Sequence, residues 1–148
     1  MELLEIQGKG ALRLTGDLTQ TLTGTFETME CFNEVRAERG DIACTVGLIG
    51  SIEYTGLLPV AGELHYGINV EFAQNATFEV QSYVNGVPYS DESMHIRGLG
   101  SNKPVTLFWI SQLDINPGDV VTLMARNEAG GDMDVLFHRT VFTLKIDG

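Results

Sequence analysis

The stretch Leu64–Gly86, LHYGINVEFAQNATFEVQSYVNG, decides the fold. Leu64, Tyr66, Ile68, Val70 and Phe72 alternate with His65, Gly67, Asn69 and Glu71. Successive side chains leave opposite sides of an extended backbone, so a sustained period of two describes a strand with one face on a core. Gln74-Asn75-Ala76 turns the chain into a second run, Thr77–Asn85, in which Phe78, Val80, Ser82 and Val84 share a face. Asn85-Gly86 signals a hairpin, because Asn and Gly accept the positive φ of a type I′ turn.

The same pattern extends downstream. Met94–Arg97 reads as a short strand before the Gly98–Asn102 loop. Pro104–Leu113 reads as a long strand with Val105, Leu107 and Trp109 on one side and Phe108 and Ile110 on the other. Apolar residues on both sides imply that both faces are covered, one by the core and one by a partner. Asn116-Pro117-Gly118-Asp119 is a turn, with Pro presetting φ and Gly taking the left-handed position. Val120–Arg126, the Gly130-Gly131-Asp132 loop and a final strand Val135–Ile146 follow.

Upstream, Ile42–Ile49 and Ile52–Val60 read as strands, the second bent at Gly56 and Pro59. Glu27–Gly40 is the one stretch compatible with a helix, although Glu30, Glu34, Arg36, Glu38 and Arg39 leave a weak apolar stripe. A strand ending in an Arg39-Gly40-Asp41 turn fits equally, and chance accounts for that tripeptide's likeness to an integrin-binding sequence. Residues 1–26 differ from the rest, with short runs between Gly8-Lys9-Gly10 and Gly16-Asp17 and a threonine-rich Thr19–Phe26. They read as an N-terminal arm or first edge strand. An arm that leaves the body to hold a neighbour and a strand that completes the same sheet both fit. The expected organisation is an arm over 1–26 and one β-sandwich domain over 27–148.

Composition narrows the function. The 148 residues carry 20 Asp and Glu against 9 Lys and Arg, a formal charge of −11. The basic residues are scattered, which argues against nucleic acid or an anionic membrane as a partner. No run approaches the ~20 apolar residues of a spanning helix. Met1–Ile6 carries acids where a secretory signal carries bases, so synthesis in a cytoplasm is expected. Cys31 and Cys44 are the two cysteines. They suit reduced, partly buried thiols, while a single disulfide remains open.

No catalytic motif emerges, and neither a cofactor nor a metal is expected. His65, His95 and His138 lack the paired spacing that a metal-dependent cupin needs, and read as structural. There is no G-x-S-x-G elbow, and carboxylate pairs are too common in so acidic a chain to be informative. Glu128 and Gly130–Asp134 place oxygen ligands in a Gly-rich loop, but match neither the EF-hand nor the RTX calcium pattern. Asn75-Ala76-Thr77 matches a glycosylation sequon by pattern alone.

The order of Tyr66-Gly-Ile-Asn-Val, the strand ending Tyr83-Val84-Asn85-Gly86, the run Leu113–Leu123 around Pro117-Gly118-Asp119, and the closing Phe142–Ile146 resembles the C1q/tumour-necrosis-factor jelly roll. The likeness covers about residues 42–148, and Pro117-Gly118-Asp119 is its most specific piece. It implies an antiparallel jelly-roll β-sandwich that forms a homotrimer about a threefold axis. Small acidic modules of this type occur in bacteriophages as head decoration (cement) proteins and as fibre tips.

The expected function is therefore a structural virion protein, made in the host cytoplasm, that trimerises on a phage head and binds the major capsid protein. The alternative is a receptor- or glycan-binding tip of a tail fibre, acting through Tyr54, Tyr89 or the 98–102 and 128–134 loops. Tyr66, Phe108, Ile110 and Phe142 are the candidate subunit interface. Leu12, Leu14, Leu22 and Phe26 are the candidate shell-binding residues of the arm.

Overall fold

The structure, a computed structural model, describes residues 7–89, 93–100 and 103–147. Met1–Ile6 of the expected arm and Ser101-Asn102 of the 98–102 loop lie outside them. The described residues form fourteen strands and no helix. In chain order these are β1 Gln7–Arg13, β2 Leu18–Leu22, β3 Glu27–Thr28, β4 Glu34–Gly40, β5 Ile42–Thr45, β6 Ser51–Tyr54 and β7 Val60–Glu71. They continue with β8 Thr77–Val84, β9 Val87–Pro88, β10 Met94–Arg97, β11 Val105–Ile115, β12 Val120–Asn127, β13 Met133–Phe137 and β14 Val141–Asp147.

Two antiparallel sheets face each other, as the alternation requires of strands with one greasy side. The first runs β2-β13-β7-β14-β1-β4, with β11 on the other edge of β7. The second runs β10-β8-β12-β6-β5, with β9 on β8 and β3 on β12. This is an all-β jelly-roll sandwich. Leu64, Tyr66, Ile68 and Val70 of β7, and Phe72 just after it, all point into the core, opposite Phe78 and Val80 of β8 and Leu123 and Ala125 of β12. Asn85 and Gly86 have φ of 53° and 78°, the pair of positive values that a type I′ hairpin needs.

The N-terminal segment departs from the arm reading. β1 pairs with β14 on one edge and β4 on the other, so it is an interior strand. Leu12 and Leu22 are fully enclosed and Leu14 nearly so. Phe26 packs on Tyr83, with ring centroids 5.8 Å apart, and under the Arg126 guanidinium at 4.6 Å. All four proposed shell-binding residues therefore contact their own chain. The physical reason is the edge rule: an interior strand satisfies both rows of backbone groups, whereas a detached arm leaves them to water. After β1, the chain pairs with β13 through β2 and then with β12 through β3. Residues 18–28 thus strap one sheet to the other.

Three further boundaries differ. Glu27–Gly40 is extended, as β3 and β4, and not helical. The expected strands 42–49 and 52–60 shorten to β5 and β6, and beyond β6 the chain turns back where the Tyr54 hydroxyl donates to the Leu58 carbonyl at 2.6 Å. A Cβ at Gly56 would overlap that ring, which is why glycine stands there. The single last strand divides into β13 and β14 at His138–Thr140, where the Thr140 hydroxyl donates to the His138 carbonyl at 2.9 Å. Both cysteines are free thiols. Burial pushes Cys31 up to about 12, and burial together with the Glu38 charge pushes Cys44 up to about 11, so neither is a nucleophile at neutral pH.

Candidate functional site

The outward face of the first sheet is the most distinctive surface. Strand register sets its composition. On one line across the sheet, Phe108 lies opposite Gly67, Gly67 opposite Val141, and Val141 opposite Arg13. On the next, Ile110 lies opposite His65, His65 opposite Thr143, Thr143 opposite Ala11, and Ala11 opposite Ala37. Apart from His65, and Arg13 at the far end, the residues on these lines are small or apolar. Phe108 and Ile110 stand at the β11 edge, 68% and 50% exposed. A Cβ built on Gly67 meets nothing within 4 Å, so the aromatic neighbour does not cover it. The face has a projecting apolar rim on one side and a shallow trough beside it.

Polar groups frame this strip. Thr106 donates to the Asn69 side chain at 2.6 Å on one flank. Arg13 reaches Glu34 at 2.5 Å at the far end, and that bond, with the Thr15 hydroxyl, holds the Glu34 carboxyl below its usual range. An apolar centre within a polar rim is the layout of a protein contact surface.

The four predicted interface residues separate into two pairs. Phe108 and Ile110 lie together on this outward face. Tyr66 and Phe142 do not: both are buried in the core, 5.7 Å apart between ring centroids. Their strand positions have the parity of Leu64 and Leu144, which point inward. Burial raises the Tyr66 phenol above its ordinary value, against the opposing effect of hydrogen bonds with Ser111 and Ser82. Tyr54, offered as a glycan contact, is also fully enclosed, whereas Tyr89 is 37% exposed.

Two charged clusters were not legible from sequence spacing. On β10, His95 Nδ1 is 2.5 Å from Glu128, and its Nε2 is 3.5 Å from Glu79 and 3.1 Å from the Ser93 hydroxyl. Glu79 takes Arg126 Nε at 2.5 Å and the Ser93 hydroxyl at 2.6 Å. Burial opposes ionisation of Glu79, but the bonds from Ser93 and Arg126 outweigh it and hold its carboxyl below the usual range. Ser93, His95 and Glu128 have the order of nucleophile, base and orienting acid, yet the serine proton is directed to Glu79 and away from the imidazole. One atom each from Glu79, His95 and Glu128 falls within 4.8 Å, a spacing open to a cation only if Arg126 and Ser93 release Glu79. The signal for this cluster was cross-strand register, since His95 and Arg126 both pair with Glu79. The second cluster holds His138 between Asp17 at 2.9 Å and Glu71 at 3.0 Å.

No protein-family model matches the sequence, and no curated protein does. Solved structures do match in fold, and they define its class: a TNF/C1q-like jelly roll. The Eiger TNF from S. frugiperda superposes with a TM-score of 0.58 at 12% identity, over 96% of this chain and 92% of that one. The globular domain of zebrafish complement 1qA gives 0.51 at 10% identity, over 90% and 94%. Murine APRIL gives 0.51 at 10%, over 88% and 98%.

Proposed function

We propose that this chain is a non-enzymatic structural module that assembles as a homotrimer, of the kind that decorates a bacteriophage head. The observation that carries the reading is the outward face of the first sheet. Phe108 projects at its edge and Gly67, its register partner, leaves open space beside it, so one subunit offers both a projection and a place to receive one. Repeated head-to-tail, such a contact forms a ring where its rotation closes. The resemblance to the C1q/TNF jelly roll favours a ring of three. Leu57 at 91% exposed, with Leu58 and Val87, adds apolar loop tips at the end of the sandwich where the β6–β7 and β8–β9 turns meet Asp119. These tips suit contact with a shell protein. The acidic charge suits a particle surface kept free of nucleic acid.

Sedimentation velocity and light scattering at micromolar concentration test the assembly, with a single species of three subunits expected. Mass spectrometry of purified virions, with heat challenge of particles lacking the protein, tests the location. A persistent monomer, or particles equally robust without the protein, overturns the reading. The alternative, a receptor-binding fibre tip, is favoured by one observation, the exposed Tyr89 at the mouth of an open cleft.

A further inference from the structure

We infer that the seam between the two sheets, where the free edges of β10 and β11 face each other, is a binding site for a neutral carbohydrate. The site is independent of whether the module sits on a head or on a fibre. The seam opens as a cleft of about 720 Å³, within the range of small-molecule sites. Its floor is aromatic. Trp109 stacks on Tyr66 with centroids 4.1 Å apart and planes 20° from parallel, and Tyr66 in turn stacks on Phe142. The indole is half-buried and held by this column, so little freedom remains to be lost when a ligand lies against it.

The polar groups are where a sandwich ought to be apolar. Inward positions on β8 run Phe78, Val80, Ser82, and on β11 they run Leu107, Trp109, Ser111, Leu113. Two serines thus interrupt the core pattern on facing strands. The buried Tyr66 hydroxyl stands between them, 3.4 Å from Ser111 and hydrogen-bonded with Ser82 as well. The serines give the buried phenol the partners it needs, and both also line the cleft, which places hydroxyls beside its aromatic floor. At one end Tyr89 spans the seam, its hydroxyl oxygen accepting the Asp114 backbone N–H at 3.0 Å.

The chemistry of the occupant follows. Hydroxyls are both donors and acceptors, as a sugar's are, and a pyranose offers a C–H face for an indole. Of the residues that line the cleft, His95 alone belongs to a charged cluster, and Glu128 and Glu79 already pair with it, so the cleft calls for no charge on its ligand.

Trp109 is the only tryptophan, so its emission reports on the site directly. Titration of the full chain with glucose, galactose, N-acetylglucosamine and lactose should give a saturable emission change for at least one sugar, in the millimolar range. Ser111→Ala and Ser82→Ala, each of which also takes a partner from the buried Tyr66 hydroxyl and so lowers the unfolding midpoint slightly, should weaken it about tenfold in samples that remain fully folded. Phe108→Ser, on the opposite surface of β11, should leave it intact. Saturation-transfer NMR supplies a readout when Trp109 is itself replaced by Ala. Lack of a saturable change with every sugar overturns the inference, as does binding that survives Trp109→Ala at full strength. Indole emission that acrylamide fails to quench in the assembled protein also overturns it, since a sister subunit then fills the seam. Oligomeric state measured on the same samples separates these outcomes from failure of the trimer.

Discussion

Gly67→Val puts the proposed assembly at risk without touching the core. The position lies mid-strand in β7, on the outward face, with open space where a Cβ would be. Within one subunit, replacing a strand glycine removes a backbone entropy cost of about 0.5–1 kcal/mol. The unfolding midpoint of the isolated chain should therefore rise by about 2–4 °C or stay level. In the ring, the new side chain fills the trough that would receive a neighbour's Phe108. That ring is 68% exposed; of ~200 Å² for an aromatic side chain, about 140 Å² awaits cover. At ~25 cal/mol per Å², its burial contributes about 3 kcal/mol per contact, so blocking it should weaken association by roughly 150-fold. Sedimentation velocity across a dilution series reads the association, and thermal unfolding at low concentration reads the subunit. A variant that assembles as tightly as the parent shows that no partner occupies the trough, and the reasoning fails.

Leu12→Ala should cost about 2–5 kcal/mol in urea unfolding, as a cavity in a closed core does, whereas a leucine on a free arm would cost nothing. Phe108→Ser should leave subunit stability within about 0.5 kcal/mol, while Phe142→Ala should cost about 3–5 kcal/mol, which separates the two halves of the predicted interface. The bond to Asp17, with that to Glu71, raises the folded pKa of His138, against the opposing effect of partial burial. Its contribution is complete below the unfolded value near 6.5 and disappears as pH rises through the folded value. Because Asp17 is largely exposed, the loss should be no more than about 1 kcal/mol; His138→Gln should abolish that part of the difference between urea midpoints at pH 6 and pH 8.5. A thiol-disulfide reagent at neutral pH should label Cys31 only after denaturant is added, since the thiol is fully enclosed; prompt labelling of the native protein would contradict the placement.

Strand identity and inward parity were legible wherever alternation was strong. Leu64–Phe72 carries it cleanly, and Asn85-Gly86 made the hairpin the turn chemistry demands. Phe108 and Ile110 were readable as outward because Val105 and Leu107 fixed the opposite side. Tyr66 and Phe142 were misjudged because aromatic content was weighed over parity, although both alternate with residues that face out. Residues 7–26 look like an arm because Gly8, Gly10 and Gly16 weaken the pattern. Gly8 and Gly10 are small for a packing reason, since a Cβ on either would press on Ile42 or Cys44. The clusters around His95 and His138 depend on which strands become neighbours, and spacing along a chain does not encode that. Ser82 was read as one more residue on the inward face of its strand for the same cause: its place beside Ser111 appears only once β8 and β11 face each other across the seam.

The place of β14 has a consequence for biogenesis. It is the last of the fourteen described strands in chain order, and it is the one that joins β7 to β1, from Ile146 opposite Gly62 to Gln7 opposite Asp147. While a ribosome still holds that segment, the first sheet remains two unconnected halves. Leu12, Leu64 and Tyr66 then stay exposed to the solvent and to every chaperone within reach. The sheet closes only once β14 is free, through contacts distant in sequence, and the stage before that is when aggregation threatens the chain most.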